Sequence, residues 1–369
     1  MKIYCSRNDL NKSISNVSHS VPSRTTSNIL EGILVEADKD KGKLKLTATD
    51  TNITISSVID VQCSEKCEFV VPSKLFAAII SKLPEDEMMM DFDPSSLKIS
   101  IKCAGSNSEI ICFSADEFPK IKLDEGQNEI LLSKDDVKNL IRKTAFSAST
   151  DDFNGILTGV LLEINDGEMK MVAVDPYRIA VYKIAVNNAD SVSVVIPAKL
   201  INEVAKIISD EGEDRMSFEI VSGKVIMKFD NIKATLNTFS GKYIDYEKIL
   251  SKEGNINIRV KRNDLLKSTE RASLLTSAQN NNLIKFNIDQ DLIIIKSLNE
   301  SGNIEEKVEI INDGDPLNIG MNSKYLKDAL SVIDDEEISI NFRDSISPCI
   351  IRPLKGDKYS YLILPIRMS

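Results

Sequence analysis

Hydrophobic and polar residues alternate along this chain with two different periods. Segments 44–49, 97–101, 169–174 and 224–229 alternate every second residue, which is the pattern of a half-buried β-strand. Val137, Leu140, Ile141 and Ala145 instead recur three or four residues apart and would form one face of a helix. Strand patterns outnumber helical ones. The pattern therefore predicts an α+β protein in which helices pack on mainly antiparallel sheet.

Six segments have the helical pattern. They are 7–19, 73–83, 134–146, 198–209, 261–275 and 323–333. The first, third and fifth of these segments each have an acidic residue in the predicted first turn, where the helix dipole favours an acid. These residues are Asp9, Asp136 and Asp264. Pro72 and Pro197 precede two of the others, at an end where no N–H donor is needed.

The same unit recurs three times. Pro72, Pro197 and Asn322 stand in similar segments, and each lies 125 residues from the next. The three aspartates above are separated by 127 and 128 residues. A repeat of about 125 residues is far longer than the 20 to 50 of a solenoid. We therefore expect three domains with their own cores, which we call repeats 1, 2 and 3, at 1–124, 125–252 and 253–369.

The charge is distributed unevenly between these elements. The chain carries a net charge of −10, which by itself argues against binding to nucleic acid. The six helical segments, however, contain 16 Lys or Arg against 7 Asp or Glu, a net charge of +9 that leaves −19 elsewhere. Acidic runs such as 210–214 and 334–337 lie outside the helices. We expect a basic helical face that contacts phosphates without reading bases.

Composition excludes several kinds of chemistry. His19 is the one histidine and there is no tryptophan, so HExxH zinc sites and two-histidine mechanisms are excluded. Cys63 and Cys67 have no second pair or nearby histidine, so we predict no metal and no cofactor. No apolar run approaches the roughly 18 residues of a membrane span. Because the first residues lack a secretory pattern, we expect reduced thiols and a cytoplasmic protein with no membrane partner.

Several short motifs appear in a fixed order within the repeats. They are Arg24 before 25–30, then 46–50, 71–74, 117–119, 172–180 and the ending 364–368. In this order the chain resembles the bacterial DNA polymerase III beta subunit family, the sliding clamps, along essentially its whole length. The resemblance implies a non-catalytic DNA clamp fold, in which a head-to-tail homodimer forms a ring around duplex DNA. It also implies partners: the replicative polymerase, the clamp loader and repair polymerases.

The resemblance also implies two sets of site residues. Arg24, Lys74 and Lys199 match positions that face DNA in the family, and Lys324 is the equivalent in repeat 3. A solvated helix lysine is the alternative interpretation for each. A cleft for short peptides is expected at Leu157, Val174, Pro176, Tyr177, Arg178, Ile179, Ile249, Leu362, Leu364, Pro365, Ile366 and Arg367. Without the family, most of these would be interpreted as core strand residues.

The chain departs from the family pattern near this cleft. Pro176-Tyr177 replaces a frequent Gly-His, Ile244 replaces a proline, Asn154 replaces an arginine, and Ser369 extends the usual end. These changes affect the expected peptide preference rather than the existence of a cleft.

Two other functions are compatible with a triplicated α+β chain. A metal-dependent enzyme could use adjacent acids such as Asp151 and Asp152, or 85–87, but acids of a repeated active site should recur, and Asp152 corresponds to Ser277. An RNA-binding or purely scaffolding protein would share the basic helices. It would leave the C-terminal motif at 364–367 unexplained.

Overall fold

We analysed a computed structural model that describes residues 1–120, 129–187, 191–221 and 223–368. The predicted boundary near residue 124 and the terminal Ser369 lie outside these residues. All six predicted helices are present. Within the described residues the α-helices are α1 (Arg7–Ser18), α2 (Ser73–Lys82), α3 (Lys134–Arg142), α4 (Ala198–Ile207), α5 (Glu247–Leu250), α6 (Arg262–Ala272) and α7 (Ser323–Val332). The four-residue α5 was not predicted, because one turn carries no periodic signal.

Each repeat contains two halves built from one strand, one helix and three further strands; repeat 1 has an additional two-residue strand between its halves, and repeat 2 ends with α5. In repeat 1 the strands are β1 (Lys2–Ser6), β2 (Gly32–Asp38), β3 (Lys43–Thr49), β4 (Ile53–Asp60), β5 (Gln62–Cys63), β6 (Cys67–Pro72), β7 (Glu87–Asp93), β8 (Lys98–Cys103) and β9 (Ser106–Ile111). In repeat 2 they are β10 (Glu129–Ser133), β11 (Gly159–Asn165), β12 (Glu168–Asp175), β13 (Arg178–Ala185), β14 (Val192–Pro197), β15 (Arg215–Val221), β16 (Lys224–Phe229) and β17 (Ile232–Asn237). In repeat 3 they are β18 (Ile256–Lys261), β19 (Leu283–Ile288), β20 (Leu292–Asn299), β21 (Gly302–Asn312), β22 (Leu317–Asn322), β23 (Glu337–Phe342), β24 (Cys349–Pro353) and β25 (Tyr359–Ile363).

The two halves of a repeat exchange their first strands. β1 pairs with β7, β10 with β15, and β18 with β23, always antiparallel. In the other direction β2 pairs with β6, β11 with β14, and β19 with β22. The residue that opens the first helix of each repeat donates its backbone N–H to the carbonyl of Asp86, Asp214 or Glu336. The three repeats therefore share one topology, as the sequence period predicted.

The chain folds as two compact units. The first comprises Met1–Asp135 and Lys199–Thr238, and the second comprises Asp136–Ala198 and Phe239–Ser369. The first contains a five-stranded sheet, β5-β1-β7-β8-β9, and an eight-stranded sheet, β10-β15-β16-β17-β4-β3-β2-β6. The second contains a twelve-stranded sheet, β14-β11-β12-β13-β25-β24-β23-β18-β21-β20-β19-β22. These units differ from the repeats because β4 pairs with β17 and β13 with β25, so strands of neighbouring repeats share a sheet.

Two lysines of the predicted helices, which we counted as part of a basic face, are buried. Lys134 is 3% exposed and donates to the Asp230 carboxylate and the Glu211 carbonyl, at 2.8 and 2.7 Å. Lys143 is 6% exposed and lies 2.5 Å from the Asp334 carboxylate. The charge of +9 therefore overstates what the helices offer to a ligand. These two lysines pair with acids outside the predicted helices, and loss of either acid would leave a buried charge without its partner.

The cysteines lie mostly in the core of the described part of the chain. All six cysteines are free and five are buried, and burial raises the pKa of Cys67 to about 11. The described residues hold no group of three or more His, Cys, Asp or Glu side chains that could bind a metal. Among the described helices, none has the length and apolar character needed to cross a bilayer.

Candidate functional site

The predicted phosphate contacts are all at the surface. Arg24 is exposed in the segment after α1. Lys74, Lys199 and Lys324 are each the second residue of their helix, and each is exposed. Within the described residues, none of these four side chains forms an ion pair or a hydrogen bond. Their charges are therefore available to a polyanion.

A lysine near a helix N-terminus, as at positions 74, 199 and 324, is unfavourable for the stability of the helix. The first turn of a helix carries a partial positive charge, and a cation there costs about 0.3–1 kcal/mol relative to a neutral residue. The same choice occurs at α2, α4 and α7, at 125-residue intervals. A residue that opposes its local structure in three equivalent places points to a role outside the fold. We call Lys74, Lys199 and Lys324 the helix lysines.

Five of the predicted peptide-binding residues lie in one apolar cluster in the second compact unit. Val174, Ile179 and Leu362 are buried in one cluster, and Leu157 and Ile249 pack against it half-buried. We call this cluster, where the peptide site is predicted, the apolar cleft. Its other members are Leu161, Val172, Val181, Val195, Tyr243, Tyr246, Ile350, Ile156 and Leu250. Adjacent strands supply its floor, since Ile179 lies opposite Leu362 across β13 and β25.

The segment at 239–250 forms a wall of the cleft. The Tyr243 hydroxyl donates to the carbonyl of Gly159 at 3.1 Å, and the Tyr246 hydroxyl donates to Glu163 at 2.7 Å. Burial raises the pKa of both tyrosines above the usual range, and the Glu163 carboxylate raises that of Tyr246 further. Both hydroxyls remain protonated donors, so the wall is fixed by one hydrogen bond to a backbone carbonyl and one to a carboxylate.

Arg178 lies beneath the rim of the cleft. It is 9% exposed. Its guanidinium donates to Asp175 at 2.8 Å, to Asp328 at 2.6 Å and to the carbonyl of Phe146 at 2.7 Å. The guanidinium also lies over the ring of Tyr325, 4.5 Å from its centroid. Because its donors are used within the protein, Arg178 positions the rim rather than offering an open charge.

Tyr177 continues this arrangement outward. Its ring stacks on Tyr325 with centroids 6.1 Å apart, and its side chain is 55% exposed. Asp175 holds the turn, because its carboxylate accepts the backbone N–H groups of Tyr177 and Arg178. Pro176, at the tip of this turn, is exposed. An aromatic face is therefore presented to solvent beside the apolar floor.

The C-terminal segment runs along the same surface. The Leu364 N–H donates to the carbonyl of Tyr177 at 2.8 Å, and the Ile366 N–H donates to the carbonyl of Gly320 at 2.8 Å. A side chain at Gly320 would lie 2.6 Å from the Ile366 oxygen, so glycine allows this close approach. Leu364 and Arg367 are exposed, while Pro365 and Ile366 are half-buried.

Sequence reasoning missed the residues that support the cleft from elsewhere in the chain. Phe146, Tyr325 and Asp328 all contact Arg178, and none was in the predicted site. Asp175 was visible within the motif at 172–180, although its bonds to the turn were not. Nothing in the sequence around Asp328 identifies it as a partner of Arg178, because an acidic residue on a helix is usually solvated.

A threefold repeat of helices packed on antiparallel sheet defines the class of DNA clamps. The chain belongs to the DNA polymerase III beta subunit family. Models of the family's N-terminal, central and C-terminal domains match residues 1–122, 131–245 and 247–367. This family is non-catalytic, which decides against the enzyme alternative.

Individual relatives agree with this assignment over the full length. The chain is 30% identical to the beta sliding clamp of Synechococcus elongatus, covering 100% of both chains. It is 32% identical to that of Staphylococcus epidermidis, covering 93% of both. The crystal structure of the Bacillus subtilis DNA polymerase sliding clamp superposes with a TM-score of 0.96 at 29% identity, covering 100% of both chains.

Proposed function

We propose that two copies of this chain associate head to tail into a ring that encircles duplex DNA in the bacterial cytoplasm. The ring tethers the replicative polymerase for processive synthesis, and it receives the clamp loader and repair polymerases through short peptides. No cofactor is required. The observation that carries this proposal is a pair of open sheet edges at equivalent places in the repeats.

Junctions between repeats follow one rule. At each junction, one repeat contributes the last strand of its first half, and the repeat that follows it contributes the last strand of its second half. β4 of repeat 1 pairs in this way with β17 of repeat 2, and β13 of repeat 2 pairs with β25 of repeat 3. Among the described residues, β9 is the end strand of its sheet and residues 302–309 of β21 pair on one side only. The same rule therefore pairs β21 with β9 of a second copy. Two such junctions close a dimer.

The repeat offset also gives the register of this junction. Ile53 lies opposite Leu236, and Arg178 lies opposite Ile363. The equivalent position in β21 is Asn303, which would face Ile110 of the partner subunit in an antiparallel pair. Ile111 beside it is 69% exposed, an apolar residue that this pairing would cover.

Helix contacts indicate the same junction. His19, Phe146 and Leu274 occupy equivalent places after the first helix of their repeats. The His19 ring lies 2.8 Å from Glu203 on α4, and the Phe146 carbonyl shares Arg178 with Asp328 on α7. The residue equivalent to Glu203 and Asp328 in repeat 1 is Ala78.

Ala78 lines an open groove of about 530 Å³ between α1 and α2, together with Ala77 and Ile14. Leu274 is 76% exposed. We therefore place Leu274 in this groove of the partner subunit, where burying the side chain contributes about 1.5–3 kcal/mol per junction.

The molecular mass in solution tests the dimer. Analytical ultracentrifugation should give twice the 41.0 kDa chain mass. Leu274→Asp should give a monomer, because a carboxylate in the groove would be desolvated without a partner. Leu354→Asp is the matched control, since Leu354 is 41% exposed on a hairpin outside the junction, and it should remain dimeric. A monomeric unmodified chain would contradict the ring.

Deletion of residues 364–369 tests the peptide cleft. The deletion removes the segment that bonds to Tyr177 and Gly320, and with it one side of the cleft. Calorimetric titration with a short peptide carrying Leu and Phe anchors should show at least a tenfold loss of affinity. The dimer mass should persist, because the hydrogen bonds of this segment go to Tyr177 and Gly320 rather than to β21 or Leu274. Unchanged peptide affinity would contradict the proposed cleft.

A further inference from the structure

The loop between α3 and β11 presents an aromatic side chain entirely to solvent. Phe153 is 99% exposed, the largest exposed fraction of any large apolar side chain among the described residues. A single exposed apolar residue is common on protein surfaces, so exposure alone does not identify a contact. The backbone around Phe153, its distance along the chain from the apolar cleft and the charges beside it are more specific.

The backbone of this loop is fixed by its own hydrogen bonds. The N–H of Ser149 donates to the carbonyl of Leu157 at 2.9 Å, which closes the loop. The Asp151 carboxylate accepts the N–H of Phe153 at 3.0 Å. The side-chain amide of Asn154 donates to the Ser149 hydroxyl at 2.8 Å. Phe153 therefore lies on a braced turn that holds its backbone in one conformation.

The same loop continues into the apolar cleft. Residues 152–158 form a 3₁₀ segment with a kink at Gly155. Ile156 and Leu157, which follow the kink, pack half-buried against the cluster. Gly155 has φ 52° and ψ −116°, a conformation that residues with a Cβ rarely adopt, so glycine allows the chain to turn here from solvent toward the cluster. Phe153 thus stands beside the predicted peptide site.

The charge of the loop favours one kind of ligand. Asp151 and Asp152 are exposed next to Phe153, and within the described residues neither carboxylate forms an ion pair. Residues 146–158 contain no Lys or Arg, and Asn154 stands where the family frequently has an arginine. Two uncompensated carboxylates repel phosphates, which makes this ring unsuited to stacking on DNA bases. A cationic group is the complementary ligand.

We propose that Phe153 and Asp152 bind an arginine side chain that flanks the apolar anchors of a partner's peptide. A guanidinium stacks on an aromatic face and its N–H groups donate to a carboxylate, so one side chain matches both features of the loop. A lysine ammonium is a strongly hydrated point charge and is the weaker ligand. This inference rests on the proposed function, because it requires a peptide in the apolar cleft.

Calorimetric titration of the full-length chain tests this site with matched peptides. The parent peptide carries Leu and Phe anchors, and two extended peptides add one arginine before or after them. Each extended peptide has a counterpart with citrulline, which keeps the shape of arginine without its charge. One of the two arginine peptides should bind about fivefold more tightly than its citrulline counterpart, because an extended peptide brings only one of its ends to the loop.

Two single variants separate the ring from the charge. Phe153→Ala and Asp152→Asn should each lose most of the arginine gain. The affinity for the parent peptide should stay within about twofold, because neither side chain belongs to the buried cluster. Leu131→Ala, at a side chain 60% exposed on β10, and Asp315→Asn, at an exposed position before β22, are the matched controls and should keep the gain.

Three results would overturn the arginine site. The first is equal affinity for the arginine and citrulline peptides, and the second is a full arginine gain in both Phe153→Ala and Asp152→Asn. The third is weaker DNA binding by Phe153→Ala with the gain intact, which would assign the ring to DNA. If the parent peptide itself did not bind, the proposed function of the cleft would be contradicted as well, so the parent titration distinguishes the two failures.

Discussion

At the scale of single residues, Arg178 has the most influence on the apolar cleft. Its bonds join the turn at Asp175, the carbonyl of Phe146 and the helix residue Asp328. Asp175 is 10% exposed, so its charge has little access to water if the guanidinium is removed. A buried ion pair that loses one partner costs more than the pair contributed. The rim of the cleft therefore depends on a residue that does not need to touch the ligand.

Arg178→Ala should accordingly destabilise the protein by about 3–5 kcal/mol and weaken peptide binding. For a unit of this size each kcal/mol lowers the melting temperature by roughly 2–4 °C, which differential scanning calorimetry resolves. Arg178→Lys should recover part of the stability, because an ammonium keeps the charge but cannot form the forked contacts.

Arg259→Lys is the control for this series. Arg259 forms an exposed ion pair with Glu337, and its replacement should change stability by less than about 1 kcal/mol. If Arg178→Ala melted as the control does, the guanidinium network would not hold the cleft.

At the scale of elements, substitution of the helix lysines tests whether they contact DNA or are ordinary solvent-exposed side chains. Replacing Lys74, Lys199 and Lys324 together with glutamine removes three cations from helix N-termini. The free energy of unfolding should rise slightly, by up to about 1 kcal/mol per site, because the helix dipole disfavours a cation at the N-terminus. DNA binding should weaken, and the slope of log affinity against log salt should fall by about 0.9 for each phosphate that is no longer neutralised.

Three exposed lysines outside the helices provide the matched control. Lys102, Lys285 and Lys355 lie on strands or a loop, and changing them to glutamine removes the same charge. Their variant should keep the salt slope of the unmodified protein. If both triple variants reduced the slope equally, general charge rather than the helix lysines would account for DNA binding.

The sequence patterns predicted the secondary-structure elements more completely than they predicted the contacts between residues. The six helices and the three repeats were predictable because their periods are local and recur. The burial of Lys134 and Lys143 was not, because their partners Asp230 and Asp334 lie 96 and 191 residues away. The exchange of first strands between halves was missed for the same reason, since a strand pattern specifies a face and not a neighbour.

At the scale of the whole molecule, the proposed ring explains how a chain with net charge −10 can remain on DNA. The DNA contacts proposed for Arg24 and the helix lysines are few and sequence-independent, so they would favour movement along the duplex over tight binding. Retention must then come from topology, which requires a closed dimer. In this proposal the dimer junctions at β9, β21 and Leu274 are as important for function as the DNA contacts.

This model predicts different retention on two forms of the same DNA. After loading, the protein should stay on a nicked circular plasmid during gel filtration, and it should dissociate when the plasmid is cut once, because a ring slides off a free end. The monomeric Leu274→Asp variant should dissociate from both forms, while the dimeric Leu354→Asp control should behave as the unmodified protein. Raising the salt concentration should release linear DNA complexes faster and leave the circular ones largely intact, since topology is not screened. Equal retention on circular and linear DNA would contradict encirclement and indicate binding by affinity alone.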